Sequence, residues 1–189
     1  MKRKIYLIPG MGESIRASNY RDVILTAKKA DLCVVPVNID WGINMDMTDY
    51  INQADKKIPN ESVEDYILGF SFGAYISAIL SKKKKMKGFI FCSLSPYFKE
   101  NLKNIPEESK KYFGKKMMAS FKKYSFSYNN QSKAWFLIGK KDWPLAIRQA
   151  KGSCNKWKGS KKLIVIKDAG HSLKHSNYIK ALGRIIKKL

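Results

Sequence analysis

Residues 64–82 read EDYILGFSFGAYISAILSK and place Ser71 between Gly69 and Gly73. An apolar run precedes this G-x-S-x-G pentapeptide and an amphipathic stretch follows it, which predicts a strand, a sharp turn and a helix. A serine on such a turn points its hydroxyl out of the fold and lies at the helix N-terminus, where backbone N–H groups stabilise negative charge. The glycines fit because a side chain at either position would collide with the neighbouring strand or helix. The stretch therefore predicts a fold and a candidate nucleophile.

Outward from this element, apolar runs alternate with amphipathic stretches along the chain. The apolar runs do not alternate with polar residues, which indicates strands that are covered on both faces. Strands that alternate with helices predict an α/β fold, arranged as a three-layer α/β/α sandwich with a mostly parallel sheet. The predicted strands are 4–8, 32–37, 64–68, 88–93, 134–138 and 161–166, and the predicted helices are 15–29, 46–57, 72–82, 145–157 and 173–188.

One segment, residues 95–133, interrupts the alternation. It is rich in lysines and aromatic residues, and its central part, 107–123, has the pattern of an amphipathic helix. We expect a single domain over residues 1–189 in which this segment forms a small cap at one edge of the sheet. Packing against the domain is the default for an apolar helical stripe. Contact with a ligand, or binding of single-stranded nucleic acid by the interleaved lysines and aromatics, are the alternatives.

The chain is strongly basic, because 37 Lys and Arg against 15 Asp and Glu give a formal net charge of +22. Such a charge attracts polyanions, including nucleic acid, acidic lipid and phosphorylated ligands. Nearly all of it comes from lysines spread along the chain, whereas recognition of phosphates or bases usually recruits arginine. We therefore expect a solvated basic surface and do not favour a nucleic-acid partner.

No segment has the length of a membrane span or of a signal-peptide core, since the first apolar run covers only residues 5–8. Cys33, Cys92 and Cys154 have no metal-ligand spacing and cannot all pair within the chain. Cys33 and Cys92 fall inside predicted strands, where a buried thiol acts as a small hydrophobic group. These features favour a cytoplasmic protein without a metal or other cofactor, and they leave the oligomeric state open.

The carboxyl ends of parallel strands meet at one edge of a sheet, so the residues that follow each strand are candidates for a shared site. The glycine-rich run 9–12 follows the first predicted strand, and Ser71 follows the third. Asp142 comes after the strand at 134–138, and His171 comes after the strand at 161–166. A serine, an acid and a histidine are therefore expected at one edge, in the chain order that accompanies a nucleophile elbow.

The acid and the base each have a competitor. Asp168 precedes His171 on the same loop, where an aspartate commonly shapes the turn, so Asp142 is preferred as the acid. His175 lies a helical turn inside the predicted helix 173–188 and is the less favoured base. The two histidines have the i, i+4 spacing of a zinc-binding helix, but the glutamate of H-E-x-x-H is missing and no third ligand is evident.

Other polar and aromatic residues are expected at the same edge. Ser14, Ser93 and Ser95 are expected near this edge, and hydrogen bonding to the local backbone is their default role. Trp143, directly after Asp142, is expected to pack rather than to contact a substrate.

Together these motifs resemble those of the α/β-hydrolase family. G-F-S-F-G resembles the nucleophile elbow, I-G-K-K-D the acid loop, and D-A-G-H-S-L the histidine loop. The resemblance covers the chain apart from residues 95–133 and implies a minimal α/β-hydrolase fold. It also implies a catalytic triad of Ser71, Asp142 and His171. The backbone N–H groups of Met11 and Phe72 would then form the oxyanion hole, although Pro-Gly stands in this loop where many members have His-Gly.

The implied function is a serine hydrolase that cleaves a carboxylic ester or thioester through an acyl-enzyme. His171 would accept the proton of Ser71, and Asp142 would orient the imidazole and stabilise its charged form. The partner would be a small-molecule acyl ester or thioester, and the lysines could recruit an anionic carrier such as a CoA thioester. The alternative is a non-catalytic binding protein on the same scaffold, whose basic surface binds nucleic acid or acidic lipid.

Overall fold

The computed structural model describes residues 2–42 and 45–189 and contains one parallel sheet with helices on both faces. No helix among these residues is long and apolar enough to cross a membrane. The strands are β1 (Lys4–Ile8), β2 (Cys33–Pro36), β3 (Glu61–Phe70), β4 (Lys85–Cys92), β5 (Lys133–Gly139) and β6 (Lys161–Ile166). The helices are α1 (Arg21–Lys29), α2 (Met47–Lys57), α3 (Phe72–Leu80), α4 (Glu107–Phe121), α5 (Pro144–Lys156) and α6 (Ser176–Ile186).

The sheet has the order β2-β1-β3-β4-β5-β6, and each of these pairings is parallel. On one face, strand residues such as Ile8, Ile67 and Phe89 pack in one hydrophobic cluster with α2, α3, α4 and α5. On the other face, Leu7 and Leu68 pack in a second cluster with α1 and α6. The predicted α/β/α sandwich is therefore confirmed, and the described sheet is parallel throughout.

Two glycines let α3 begin directly against the sheet. A Cβ atom on Gly69 would lie 2.3 Å from the carbonyl oxygen of Gly73, and one on Gly73 would lie 2.1 Å from that of Ile8. Both distances are shorter than the contacts that Cβ atoms make, so a larger residue at either position would displace the backbone. The glycines thus fix where α3 begins, immediately after Ser71.

The helix that the sequence predicts over 15–29 is shorter, because the residues before it are held in another conformation. A single 3₁₀ turn, Ser18–Tyr20, precedes α1. The Tyr20 hydroxyl accepts a hydrogen bond from the Gly10 N–H (2.8 Å) and donates one to Glu13. Asn19 Nδ2 also donates to Glu13 Oε1, at 2.8 Å. These bonds fold residues 10–20 into a loop, so the predicted helix start was wrong.

Strand β2 lies at an edge of the sheet, and this position exposes Cys33. The prediction that Cys33 is buried was wrong, because an edge strand has a neighbouring strand on one side alone. Cys92, in the central strand β4, is fully buried as predicted, and burial raises the pKa of its thiol to about 12. Strands β3 and β4 also begin earlier than predicted, at Glu61 and Lys85.

Residues 95–133 contain a 3₁₀ helix, Lys99–Asn104, followed by α4. Helix α4 is interrupted at Gly114, whose φ of 69° lies in the left-handed region. Tyr112, just before this break, is 72% exposed. Most other aromatic side chains of the segment are buried and pack with the rings of Phe72 and Tyr75 or close to them; these are Tyr97, Phe98, Phe113, Phe121 and Phe126.

Candidate active site

Ser71 has a backbone conformation that is unfavourable for an L-amino acid other than glycine. Its φ is 54° and its ψ is −116°, and it stands at the N-cap of α3 without making a side-chain capping hydrogen bond. Such a conformation costs on the order of 1–3 kcal/mol and persists where the surroundings impose it. Its hydroxyl instead lies 2.9 Å from Nε2 of His171. Ser71 therefore presents its Oγ to the histidine rather than to its own helix.

His171 is held between Ser71 and Asp142. Its Nδ1 lies 3.0 Å from Oδ1 and 3.2 Å from Oδ2 of Asp142, and its ring packs against that of Phe70 at a centroid distance of 5.1 Å. The carboxylate of Asp142 is fully buried, whereas the imidazole is 44% exposed. The acid thus contacts the inner nitrogen of the ring, and the outer nitrogen faces Ser71.

Asp142 is stabilised as a carboxylate. Burial by itself raises its pKa, but the hydrogen bond and the charge of His171 outweigh burial, and the pKa lies below its ordinary value of 3.8. The backbone N–H of Trp143 donates to Oδ1 at 2.7 Å and acts in the same direction. A buried anion at this position favours a proton on Nδ1 and so leaves Nε2 able to accept one.

The competing residues have other partners. Asp168 is exposed, and its carboxylate lies 3.7 Å from Nζ of Lys141, so it is Asp142 that contacts His171. The sequence predicts His175 inside a helix, but this was wrong: His175 precedes α6, at its N-cap. Its Nδ1 accepts a hydrogen bond from the Asn177 N–H at 3.3 Å and caps that helix, which explains the late start of α6.

Two cavities flank the Ser71–His171 pair. The first, of about 300 Å³, is named the Glu13 cavity after the acidic residue in its lining. Met11 and Phe72, the two residues predicted for the oxyanion hole, line this cavity together with Ser71. The second, of about 240 Å³, is named the Trp143 cavity. Ser71, Phe72 and His171 line both, so a molecule held at Ser71 has space on either side.

The structure gives partners to polar residues outside the predicted triad, of which Glu13 and Tyr178 were not named by the sequence analysis. Ser95 is buried, and its Oγ lies 3.4 Å from Ser71 Oγ, although a role in bonding the backbone was expected. Ser93 Oγ lies 3.1 Å from the buried hydroxyl of Tyr178. Both serines follow β4, so the sequence analysis was right to expect them at this edge of the sheet. Glu13 follows the glycine-rich loop and was detectable in the same way, but Tyr178 lies on a helix, where nothing in the pattern indicates a polar role.

Trp143 combines the expected packing with a position in the site. Its ring packs against the hydrophobic cluster on the α3 face and lies 6.1 Å from that of Tyr97. It also lines the second cavity, next to Ser71. The expectation of packing alone was therefore incomplete.

No protein-family model and no curated protein sequence matches the chain. Solved structures do match it over nearly its whole length. The α/β-hydrolase domain-containing protein 10 from mouse has a TM-score of 0.78 and 13% identity, over 98% of this chain and 88% of that one. Est1E from Butyrivibrio proteoclasticus, whose structure holds ferulic acid, has a TM-score of 0.75 and 12% identity, over 98% and 87%.

A third match is an α/β-hydrolase enzyme from the sediment metagenome of the Mar Chica lagoon in Morocco. It has a TM-score of 0.75 and 14% identity, over the full length of this chain and 92% of that one. Two of these three neighbours carry the α/β-hydrolase name, and at such identities the likeness concerns the fold. The six-stranded parallel sheet in the described residues agrees with it. The chain has the α/β-hydrolase fold.

Proposed function

We propose that the protein is a serine hydrolase that cleaves a carboxylic ester or thioester through an acyl-enzyme. The observation that supports this most strongly is the hydrogen-bond chain from buried Asp142 through His171 to Ser71, with distances of 3.0 and 2.9 Å. A serine in an unfavourable backbone conformation that aims its hydroxyl at an imidazole is costly to maintain, and nucleophilic catalysis explains that cost.

In this mechanism Nε2 of His171 accepts the proton of Ser71 as Oγ attacks the acyl carbon. The same nitrogen then gives the proton to the leaving oxygen or sulfur, and the acyl-enzyme forms. Water then attacks the acyl carbon and loses a proton to Nε2. The bond from the acyl carbon to Ser71 Oγ breaks as Nε2 returns that proton to Oγ, and the carboxylic acid leaves. Asp142 holds the tautomer of His171 and stabilises the imidazolium during both attacks.

The negative oxygen formed at each attack needs hydrogen-bond donors. Phe72 is the first residue of α3, so its N–H has no partner within the helix. Met11 follows Gly10, whose N–H is fixed by Tyr20. We assign these two N–H groups as the oxyanion hole, where the loss of one donor costs about 3 kcal/mol of transition-state stabilisation.

Residues 95–133 act in this proposal as a small cap on a single domain. Tyr112 and Phe113 of the segment line the Glu13 cavity, and Pro96 and Tyr97 line the Trp143 cavity. The cap would therefore shape the space for both the acyl group and the leaving group.

The test is labelling with a fluorophosphonate probe, together with hydrolysis of p-nitrophenyl esters and acyl thioesters. Ser71→Ala should lose labelling and turnover while its circular dichroism spectrum stays that of the wild type. Ser95→Ala is the matched control, since it removes the neighbouring hydroxyl and should keep the label. Turnover retained by Ser71→Ala, or a label on another residue, would refute the mechanism.

The net charge of +22 is the observation that favours the second candidate, a binding protein for nucleic acid or acidic lipid. This alternative gives no reason for the geometry of Ser71 and His171. It predicts tight binding that weakens steeply with salt, in the absence of esterase activity. A salt titration of binding to a single-stranded oligonucleotide and to acidic vesicles, with ester hydrolysis measured on the same preparation, separates the two.

A further inference from the structure

The Glu13 cavity carries a negative charge in a protein that is otherwise strongly basic. Within the described chain, Glu13 is its one carboxylate, and no lysine or arginine lines it, although the sequence has 37 of them. The Trp143 cavity on the other side of Ser71 is different, because Lys141 lines it and its one carboxylate, Asp142, is already bound by His171. The two sides of the candidate nucleophile therefore differ in charge.

Glu13 is held in place by neutral groups. Asn19 Nδ2 donates to Oε1 at 2.8 Å, and the Tyr20 hydroxyl donates to Oε2. A carboxylate offers about four acceptor positions, so these two bonds leave capacity for a further partner. Because neither partner carries a positive charge, the charge of this half-buried carboxylate is not neutralised by the groups that fix it.

Aromatic rings border the same cavity. Tyr112 and Phe113 contribute rings whose centroids lie 5.1 Å apart in an edge-to-face arrangement, and Phe70 lines the cavity beside His171. The faces of such rings attract cations. A carboxylate and aromatic rings in one cavity thus favour the same kind of ligand group.

The surface charge does not cancel this preference. Lysines on the surface act across solvent, where at physiological ionic strength their field decays over about 8 Å. A carboxylate in the cavity wall acts on a bound group at contact distance and is screened much less. The local charge therefore outweighs the net charge for a group inside the cavity.

We propose that the Glu13 cavity binds a positively charged, ammonium-type group of the substrate. This proposal rests on the proposed function, since it names the substrate class of the same site. The cation would lie between the carboxylate of Glu13 and the rings of Tyr112 and Phe113, and the scissile acyl carbon would lie at Ser71. The rest of the substrate would extend into the Trp143 cavity.

The test compares esters that differ only in charge. In the first pair the group is on the alcohol side: acetylcholine carries a trimethylammonium group, and 3,3-dimethylbutyl acetate carries a neutral tert-butyl group of the same shape. Ethyl 4-(trimethylammonio)butyrate and ethyl 5,5-dimethylhexanoate carry it on the acyl side. For each pair, kcat/KM is measured by titration of released acid. The wild type should prefer the cation in at least one pair, and the preferred pair shows which side of the ester enters the Glu13 cavity.

Glu13→Gln should reduce that preference about ten-fold, a value between those for an exposed ion pair and a fully desolvated one. The ratio is the readout because a change at Glu13 also reaches Gly10 through Tyr20, and damage to the oxyanion loop would slow both esters equally. Glu108→Gln is the matched control, since it removes one exposed carboxylate of α4 outside the cavity lining. It should leave the ratio unchanged.

A second readout does not depend on hydrolysis. In calorimetric titrations of Ser71→Ala, the charged ester should bind more tightly than its neutral analogue in at least one of the two pairs, and adding Glu13→Gln should remove that difference. If the fluorophosphonate probe does not label Ser71 and the wild type hydrolyses no ester or thioester, the proposed function fails, and this titration still decides the cation site. Equal binding of the charged and neutral esters in both pairs, or a preference that survives Glu13→Gln, would overturn the proposal.

Discussion

Gly139 and Ala169 bring the loop that carries Asp142 into backbone contact with the loop that carries His171. A Cβ atom on Gly139 would lie 2.3 Å from the carbonyl oxygen of Ala169, and the Lys141 N–H donates to the same oxygen at 2.8 Å. The loop after β5 and the loop after β6 are thereby in direct backbone contact within a few residues of the strand ends. The distance between the acid and the imidazole is set by main chain rather than by flexible side chains.

We expect Gly139→Ala to force these loops apart, because a methyl group cannot occupy the space of the Ala169 carbonyl. The free energy of unfolding should fall by about 3 kcal/mol or more, at the upper end of the cost of overpacking, as measured by urea denaturation. Gly152→Ala is the control, since its Cβ would have no atom within 4 Å in the interior of α5. That change should raise stability by about 0.5–1 kcal/mol. Equal stability of the two variants would contradict the argument.

Asp142→Asn should lower kcat for ester hydrolysis by about 10⁴-fold, because an amide that donates to Nδ1 selects the wrong tautomer of His171. The protein should still fold, since the amide has nearly the same shape as the carboxylate. Asp168→Asn removes the exposed partner of Lys141 and should leave kcat within about two-fold, as expected for a surface ion pair of small energy. The reverse order of effects would transfer the role of the acid to Asp168.

The lowered pKa of Asp142 predicts a stability that depends on pH. Burial would raise this pKa, but His171 lowers it below 3.8, so the folded state binds this proton less readily than the unfolded chain does. Asp142 therefore adds stability that is fully present above the unfolded-state value and is lost as the pH falls through the folded one. Relative to Asp142→Asn, the wild type should be more stable near pH 5 than near pH 2, where carboxyl groups become protonated. A difference independent of pH in urea unfolding would disprove this.

The three cysteines should react with dithionitrobenzoate at different rates. Cys33 is exposed at the sheet edge, whereas Cys92 and Cys154 are buried and burial raises the pKa of both thiols. Because the thiolate is the reactive form, we expect one thiol to react promptly in the native protein and the others after denaturation. Cys33→Ser should remove the prompt fraction. Prompt reaction of a second thiol would show that β4 or α5 opens readily.

The sequence predicted the layers and the shared edge because periodicity and strand exits depend on local patterns. It placed Ser71, Asp142 and His171 on loops whose side chains lie within hydrogen-bond distance of each other. It was wrong about Cys33, since nothing in a short apolar run tells which strand ends the sheet. It was also wrong about the start of α1, because hydrogen bonds among Gly10, Glu13 and Tyr20 override local helix preference.

The parallel pairing of the described strands also affects how the chain reaches its native state. Each such pair joins segments that a crossover separates, and β4 pairs with β5 across residues 93–132. Ends that far apart must meet before the ladder of hydrogen bonds repays the lost entropy. We therefore expect folding to be slow for a chain of this size, with the edges of β4 and β5 that pair with each other open to association with other chains until that closure is complete.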